Sequence, residues 1–342
     1  MDKYKNQIEE IKQSGLFDEA YYLKNNPDVK KNPIEHYLMF GAKEKRDPSV
    51  YFNTNFYLEK NKDVARTDFN PLIHYIRHGY KENRLPLPFS KSGIIIVYHI
   101  AVMGKYMEVV KEQLNLLAKS GLGHKADKIH ITVVGEKDPE LAKLLEKSIM
   151  LNKMKITHYD DLGIWELPSI KKVQEVAKQN PKTKICYFHT KGVSYYRYQG
   201  WEQKNINAWR RYMEYFNLEK WQECVKALDE YDCCGVEWMR TWVKLPHYFA
   251  GNFWWATGEY INRCELKYFV KEDKPDRCDA EFFIGSGNPK AKNFLNAWEN
   301  SIFQSHFNDE ELEKRKQVNP KDWLTPRYRW REYYYEDFYY RK

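Results

Sequence analysis

Apolar and polar residues alternate in blocks beyond residue 93, and the blocks predict strands that alternate with helices. The segments at 94–98, 129–134 and 185–188 are largely apolar and have the length of buried strands, and a further short strand is predicted at 155–158. The segments between them carry apolar residues three and four positions apart, as one face of a helix does. A strand–helix–strand order of this kind predicts an α/β fold, with a mostly parallel sheet covered by helices on both faces.

The pattern becomes less regular after residue 194. We predict amphipathic helices at 206–216 and 218–231, and short strands at 233–236 and 253–256. Asn288 and the proline after it have the composition of a helix start, and apolar residues at helical spacing follow. The second half of the domain is therefore expected to add two strands and three helices.

The first quarter of the chain contains an internal repeat. Segments of about 17–50 and 52–88 share, in the same order, a Tyr-Leu step, an Asn, an Asp-Val pair, a Pro, a His-Tyr step, a Gly, a Glu, an Arg and a Pro. Each copy reads as two short helices, so 1–90 is predicted to be a small all-α tandem-repeat region. For His36 and His74, helix capping or packing between the two repeat units is favoured over metal binding.

These patterns divide the chain into three parts. A proline-containing linker ends the repeats, and the α/β domain is predicted at 93–305. The remainder, 306–342, is dense in tyrosine and arginine and is predicted to pack on the domain surface. Contact with a membrane or a partner is the alternative for that extension.

Composition narrows the function classes. The 342 residues carry a formal charge of +8, which favours acidic ligands or an anionic membrane surface. The basic residues are dispersed, so nucleic-acid binding is not expected. The six cysteines form no C-x-x-C pair, and no apolar run approaches the ~20 residues that span a bilayer. With no signal-peptide pattern, we expect a cytoplasmic protein that could lie peripheral to the inner face of a membrane.

The first candidate site follows the fourth predicted strand, where the sequence reads His189-Thr190-Lys191-Gly192. The carboxyl ends of parallel strands are where ligands bind in open α/β sheets. Lys191 could neutralise a diphosphate, His189 could ligate a metal or donate to a phosphate oxygen, and Gly192 allows close backbone approach. The other interpretation is a polar turn that only ends a strand.

Adjacent carboxylates, Asp160 and Asp161, follow the third predicted strand. Such a pair can hold a divalent cation or accept a hydrogen bond from a ribose hydroxyl. Aspartate is also common in loops that lead into helices, and that structural interpretation stays open.

A second candidate site surrounds the predicted strand at 253–256. His247, the Gly251-Asn252 turn and the Trp254-Trp255 pair lie within nine residues of one another. Because successive side chains of a strand point to opposite faces, one tryptophan is expected in the core, while the other could stack on a sugar ring.

Two carboxylates, Asp279 and Glu281, stand beside an apolar Phe-Phe-Ile run. Partial burial would suit one of them to proton abstraction. Glu281 is preferred as the base because it adjoins the apolar run directly. An ion pair with Arg277 is the structural alternative for this segment.

Taken together, these residues resemble a nucleotide-sugar glycosyltransferase of the GT-A architecture over 93–305. In that fold the turn after the fourth strand usually carries an Asp-x-Asp that holds a divalent metal on the diphosphate. This chain has His189-Thr190-Lys191 there. The resemblance implies either a metal-independent enzyme in which Lys191 replaces the cation, or Mn²⁺ or Mg²⁺ held through His189. The N-terminal repeats resemble those found beside polysaccharide-building glycosyltransferases.

The resemblance implies transfer of a sugar from a nucleotide donor, most simply a UDP-sugar, to a glycan or lipid-linked glycan of the cell surface. The donor would lie near His99, Asp160 and Asp161, against the turn that carries Lys191. Glu281 would deprotonate the attacking hydroxyl, with Asp279 as the other candidate. The alternative is a non-catalytic carbohydrate-binding or scaffolding protein whose transferase domain has degenerated.

Overall fold

A computed structural model describes residues 4–88, 91–193, 201–239, 245–266 and 279–294. For 201–205 the description covers the backbone alone. The predicted surface extension at 306–342 and the last part of the predicted α/β domain lie outside these ranges. Within them, no helix combines the length and the apolarity needed to cross a membrane.

The domain is built on a seven-stranded sheet with a separate two-stranded ribbon. Within the described residues the strands are β1 (Ile94–Ala101), β2 (Lys128–Val134), β3 (Met154–Tyr159), β4 (Lys184–His189), β5 (Cys233–Gly235), β6 (Trp238–Met239), β7 (Tyr248–Phe249), β8 (Trp254–Thr257) and β9 (Ala291–Asn293). The large sheet has the order β3-β2-β1-β4-β8-β5-β9, and β6 pairs with β7. Only β8 runs antiparallel to its sheet neighbours, so the predicted mostly parallel α/β sheet is confirmed.

Helices surround the sheet and form the N-terminal region. The N-terminal helices are α1 (Lys5–Ser14), α2 (Glu19–Asn25), α3 (Pro33–His36), α4 (Thr54–Lys60), α5 (Lys62–Ala65) and α6 (Pro71–His74). The helices of the α/β domain are α7 (Tyr106–Lys119), α8 (Leu122–Lys125), α9 (Pro139–Glu146), α10 (Leu167–Gln179), α11 (Trp201–Glu214), α12 (Trp221–Ala227) and α13 (Gly258–Ile261). Helices α3, α6 and α11 continue into π-helical turns at Tyr37–Gly41, Tyr75–Gly79 and Tyr215–Glu219.

Both faces of the sheet are buried. Even-numbered residues of β1, such as Ile96 and Tyr98, join a core with α7, α9, α11 and α12. Val97 points to the other face and joins a core with α10 and α13. Burial on both faces explains why β1, β2 and β4 read as nearly continuous apolar runs rather than as alternating ones.

The strand order reverses between β1 and β4, and the region outside the carboxyl ends of these two strands is called the crevice. The chain proceeds from β1 outward to β2 and β3, then returns to the opposite side of β1 to form β4. In open α/β sheets, ligands bind outside the carboxyl ends of the strands where the strand order reverses in this way. His99 and His189 are register partners at that point, so the sequence-predicted turn after β4 borders the crevice.

In each of the two N-terminal repeats, the shared residues contact one another within that repeat. The Tyr22 hydroxyl lies 3.0 Å from Nδ1 of His36, and the Tyr57 hydroxyl lies 3.0 Å from Nδ1 of His74. One arginine of each repeat makes matching ion pairs, Arg46 with Asp28 and Glu44, and Arg84 with Asp63 and Glu82. The repeated residues therefore hold each helical unit together, and both histidines pack within their own unit.

The helical region packs directly on the α/β domain. Nε2 of His124 lies 2.8 Å from the Ser14 carbonyl oxygen, and the Tyr80 hydroxyl donates to the Lys147 carbonyl oxygen at 3.1 Å. The Tyr51 ring lies 5.9 Å from the His124 ring. Backbone contacts of this kind fix the repeats against α8 and the end of α9.

Two of the later helix predictions need correction. Residues 291–293 form β9 rather than the helix predicted after Asn288. The Asp232 side chain accepts a hydrogen bond from the Lys290 amide at 2.8 Å, and the Asp232 amide donates to the Lys290 carbonyl oxygen at 3.0 Å. These bonds align the chain with β5. The helix predicted at 218–231 is shorter, because α12 spans only Trp221–Ala227.

Candidate functional site

The turn after β4 is fastened to the end of β1. The Thr190 amide donates to the His99 carbonyl oxygen, and the Thr190 hydroxyl accepts from the Ala101 amide, both at 3.1 Å. Gly192 has φ of +93°, a conformation that glycine adopts without strain. Thr190 is buried, and its hydroxyl is used in the hydrogen bond to the Ala101 amide. The structure therefore gives Thr190 a structural role in place of the predicted contact with the donor.

Lys191 occupies an enclosed position between an aromatic ring and a carboxylate. Its side chain is 6% exposed, and Nζ lies 4.3 Å from the centre of the Trp209 ring. Nζ also lies 3.9 Å from Oε1 of Glu281, whose side chain is 22% exposed. Asp279 precedes Glu281 in the same 3₁₀ segment, Asp279–Gly285, and is partly buried. The fold thus brings together a lysine and a carboxylate that sequence reasoning had selected separately.

His189 is held on both sides by oxygen atoms of the protein. Its Nε2 lies 2.9 Å from the Gly251 carbonyl oxygen, and since a carbonyl only accepts, Nε2 carries the proton. Its Nδ1 lies 3.8 Å from Oε1 of Glu166. A protonated Nε2 has no lone pair to offer a metal ion, so this nitrogen is not a metal ligand in the present arrangement. The described part of the chain contains no group of three metal-ligating side chains either.

His99 lies below the crevice rather than in it. It is 2% exposed, and Nδ1 is 2.9 Å from the Ser169 hydroxyl on α10. Burial lowers the pKa of His99 to about 4, so the ring is neutral at physiological pH. The structure therefore places the His99 ring in the core beneath α10, away from the crevice in which the donor contact was predicted.

Asp160 and Asp161 follow β3 at the edge of the sheet. Asp161 accepts a hydrogen bond from the Gly163 amide at 2.7 Å, and the exposed Asp160 lies 3.5 Å from Nδ1 of His158. Two strands separate β3 from β4, and three strand spacings amount to about 14 Å. The pair stays at the carboxyl edge of the sheet, but the structure does not bring it to Lys191.

Both tryptophans of the second candidate site are core residues. Trp254 and Trp255 are each 0% exposed, on opposite faces of β8. The Trp254 indole donates to Oδ1 of Asn252 at 2.8 Å, and the Trp255 indole donates to the Asn217 carbonyl oxygen at 2.9 Å. The expectation that one of them stacks on a sugar is wrong, because helices cover both faces of this strand.

The turn before β8 does reach the crevice. Gly251 and Asn252 have φ of +87° and +57°, and Asn252 is fully buried. A Cβ at Gly251 would lie 2.5 Å from Sδ of Met213 and 3.1 Å from the Trp209 ring, so α11 packs tightly against this turn. His247 is exposed just before β7.

Sequence reasoning missed Glu166, the carboxylate at the centre of this arrangement. Glu166 is buried, and its Oε2 accepts hydrogen bonds from the Tyr187 hydroxyl at 2.6 Å and from Nδ2 of Asn252 at 2.8 Å. Burial, and then the charge of Glu166, raises the pKa of Tyr187 far above its usual value. The available signal was one acid in the apolar segment Ile164-Trp-Glu-Leu-Pro168, where a charge needs a partner.

A second buried group supports the turn from the other face. Nε2 of Gln113 donates to the His189 carbonyl oxygen at 3.1 Å and to Oε1 of Glu214 at 2.9 Å. Arg210 donates to the same Glu214 oxygen at 2.9 Å. Burial raises the pKa of Glu214, with Arg210 acting against that shift. Helices α7 and α11 are thereby joined to the end of β4.

Comparison with known proteins identifies the domain but not its activity. A family model described as a domain of unknown function (DUF8361) matches residues 98–317, which is more than half of the chain. No curated protein and no solved structure matches the chain.

Proposed function

The chain belongs to the DUF8361 family, and we propose that it is a nucleotide-sugar-dependent glycosyltransferase of the GT-A type. The observation that carries the proposal is the meeting of Lys191 and Glu281, 3.9 Å apart, beside the crevice between β1 and β4. The acceptor class we propose is a glycan or a lipid-linked glycan of a surface polysaccharide. We further propose a cytoplasmic location, with peripheral contact to the membrane that carries such an acceptor.

The position of the crevice supports a nucleotide ligand. Nucleotides bind in open α/β folds outside the carboxyl ends of the strands, where the strand order reverses. Here the reversal lies between β1 and β4. One antiparallel strand in an otherwise parallel sheet then carries the Gly251-Asn252 turn to the same rim. This arrangement is consistent with the GT-A architecture that the sequence resembles.

Lys191 has the properties needed at the leaving group. When the bond from sugar to phosphate breaks, negative charge grows on the diphosphate, and a fixed cation there stabilises the transition state. The Trp209 ring and the burial of the side chain hold the Lys191 ammonium in one place. In the proposed reaction Lys191 supplies the charge that a metal ion supplies in enzymes with an Asp-x-Asp.

Glu281 is proposed as the base. Its carboxylate lies beside the cation, where an acceptor hydroxyl would approach the sugar of a bound donor. Base catalysis requires such a group within hydrogen-bond reach of the hydroxyl proton. Of the residues predicted to bind the acceptor, His247 remains exposed and Gly251 lines the rim, so these two stay in the proposal.

A ligand screen tests the proposal. UDP-, GDP- and dTDP-sugars are compared by thermal shift, with and without Mn²⁺, and donors that bind are then assayed for nucleotide release. Stabilisation by one nucleotide class through binding linkage, followed by release without added metal, is expected. A shift with oligosaccharides and none with any donor would instead establish the non-catalytic carbohydrate-binding alternative.

A further inference from the structure

Glu166 is a buried ionisable group beside the crevice that the proposed chemistry does not use. It precedes α10, and it contacts the end of β4 and the turn before β8, two segments that are distant in sequence. A buried carboxylate is costly unless it is paired or hydrogen-bonded. The hydrogen bonds that stabilise the buried Glu166 carboxylate therefore indicate its role.

The polar contacts around Glu166 form a closed ring. Oε2 accepts from Asn252, Oε1 lies 3.8 Å from Nδ1 of His189, and Nε2 of His189 bonds to the Gly251 carbonyl oxygen. The peptide bond between Gly251 and Asn252 completes the ring. Three chain segments are thus held in one arrangement.

Backbone conformation is an independent sign that this ring constrains the turn. Asn252 is fully buried and has φ of +57°, a left-handed conformation that asparagine adopts more readily than other non-glycine residues and that its hydrogen bonds hold in place here. Its Nδ2 is held by Glu166, and its Oδ1 accepts from the Trp254 indole. Residues held in this way concentrate at binding and catalytic sites.

The ring continues to the lysine of the crevice. Gly251 packs against the Trp209 ring, where a Cβ would lie only 3.1 Å from the indole. Trp209 in turn carries the Lys191 ammonium on its face. An uninterrupted chain of contacts therefore runs from Glu166 through His189 and Gly251 to Lys191.

We propose that Glu166 is a positioning residue of the crevice. Its Oε2 holds Asn252 by a hydrogen bond while its Oε1 faces the His189 imidazole, and together these contacts set the position of the turn against which Trp209 and Lys191 rest. This inference depends on the proposed transferase function only where it predicts an effect of Glu166 on kcat. A misplaced catalytic group costs rate more than it costs binding, so kcat is expected to fall more than KM rises.

The Glu166→Gln variant separates positioning from structural support. The amide oxygen of glutamine can still accept from Tyr187 and Asn252, so a purely structural role would leave the variant like the wild type. The amide nitrogen would instead face Nδ1 of His189. Glu175→Gln, an exposed change on the same helix, is the matched control.

The readout is the Nε2 proton of His189, observed by ¹H–¹⁵N NMR and assigned by its loss in His189→Asn. We expect this signal in the wild type and in Glu175→Gln, and we expect it to shift or broaden in Glu166→Gln, which keeps its thermal stability. An unchanged signal in folded Glu166→Gln overturns the proposal. Asn252→Gly, which preserves the left-handed backbone while removing the contact to Glu166, should perturb the same proton, and no perturbation there contradicts the ring.

Kinetics then separate this inference from the proposed function. With an accepted nucleotide-sugar, Glu166→Gln is expected to lower kcat about tenfold with a smaller change in KM. If the wild type turns over no donor while the imidazole signal responds as described, the transferase function fails and the positioning role stands. If the wild type is active and Glu166→Gln has wild-type kcat, the positioning role fails alone.

Discussion

Lys191 and Glu281 lie 3.9 Å apart beside the crevice, although a long stretch of chain separates them in the sequence. The fourth strand delivers the lysine, and the 3₁₀ segment Asp279–Gly285 delivers the carboxylate. A cation for the leaving diphosphate and a carboxylate for the attacking hydroxyl are therefore available at one place.

Glu281→Gln tests the role of the carboxylate. If Glu281 removes the acceptor proton, the variant should lose turnover by about 10²- to 10⁴-fold while still binding the donor, because glutamine keeps the size but cannot act as a base. Steady-state kinetics and donor titration measure both quantities. Asp279→Asn is the control, for which we expect a much smaller loss. A raised KM with unchanged kcat in Glu281→Gln would instead make this residue a binding group.

Acid should destabilise the protein through its buried histidines. Burial lowers the pKa of both His99 and His124 to about 4 in the folded state. The unfolded chain, with a histidine pKa near 6.5, therefore binds more protons between these values, so stability falls as the pH drops from about 6.5 toward 4. Each of the two should cost roughly 2 kcal/mol by pH 5. Urea unfolding at pH 7 and pH 5 measures the loss.

His124→Gln isolates one of these contributions. Glutamine can still donate to the Ser14 carbonyl oxygen but cannot ionise, so the difference in unfolding free energy between pH 7 and pH 5 should shrink by roughly 2 kcal/mol. His78→Gln, at an exposed position, is the control. An equal acid loss in His124→Gln and the wild type would contradict the assignment.

The repeat fold predicts that Gly41 cannot be replaced. A Cβ there would overlap the Tyr22 hydroxyl, which is itself held by His36. Gly41→Ala should destabilise the protein by about 1–3 kcal/mol through overpacking. The Tyr22→Phe background removes the overlapping oxygen, so a double-mutant cycle should show a smaller cost of the alanine there. If the stability losses of Gly41→Ala and Tyr22→Phe simply add, the cost of the alanine does not come from overlap with the Tyr22 hydroxyl.

The sequence pattern predicted which segments form strands better than it predicted which side chains are exposed. The runs that became β1, β2 and β4 were recognisable because strands buried on both faces carry few polar residues. The alternation at 254–255 correctly indicated opposite faces for the two tryptophans. The alternation could not indicate that helices cover both faces of β8, because those helices come from segments that are distant in the sequence.

The contacts that organise the site could not be predicted from the sequence, because they also join segments that are far apart in it. Glu166 bonds to Tyr187 and Asn252, and none of these residues is near another in the sequence. Strand β9 is three residues long and depends on backbone pairing with Asp232, so local periodicity favoured a helix instead. Lys191 and Glu281 could each be selected from local context, whereas their contact required the fold.

The central claim is that Lys191 carries the charge that stabilises the departing diphosphate. The most direct measurement is nucleotide release from the donor identified by screening, by the wild type and by Lys191→Met, which keeps the length and apolar stem of the side chain. We expect release by Lys191→Met to fall by about 10²-fold or more without added metal, with its thermal stability retained. Release at the wild-type rate by the folded variant would contradict the account.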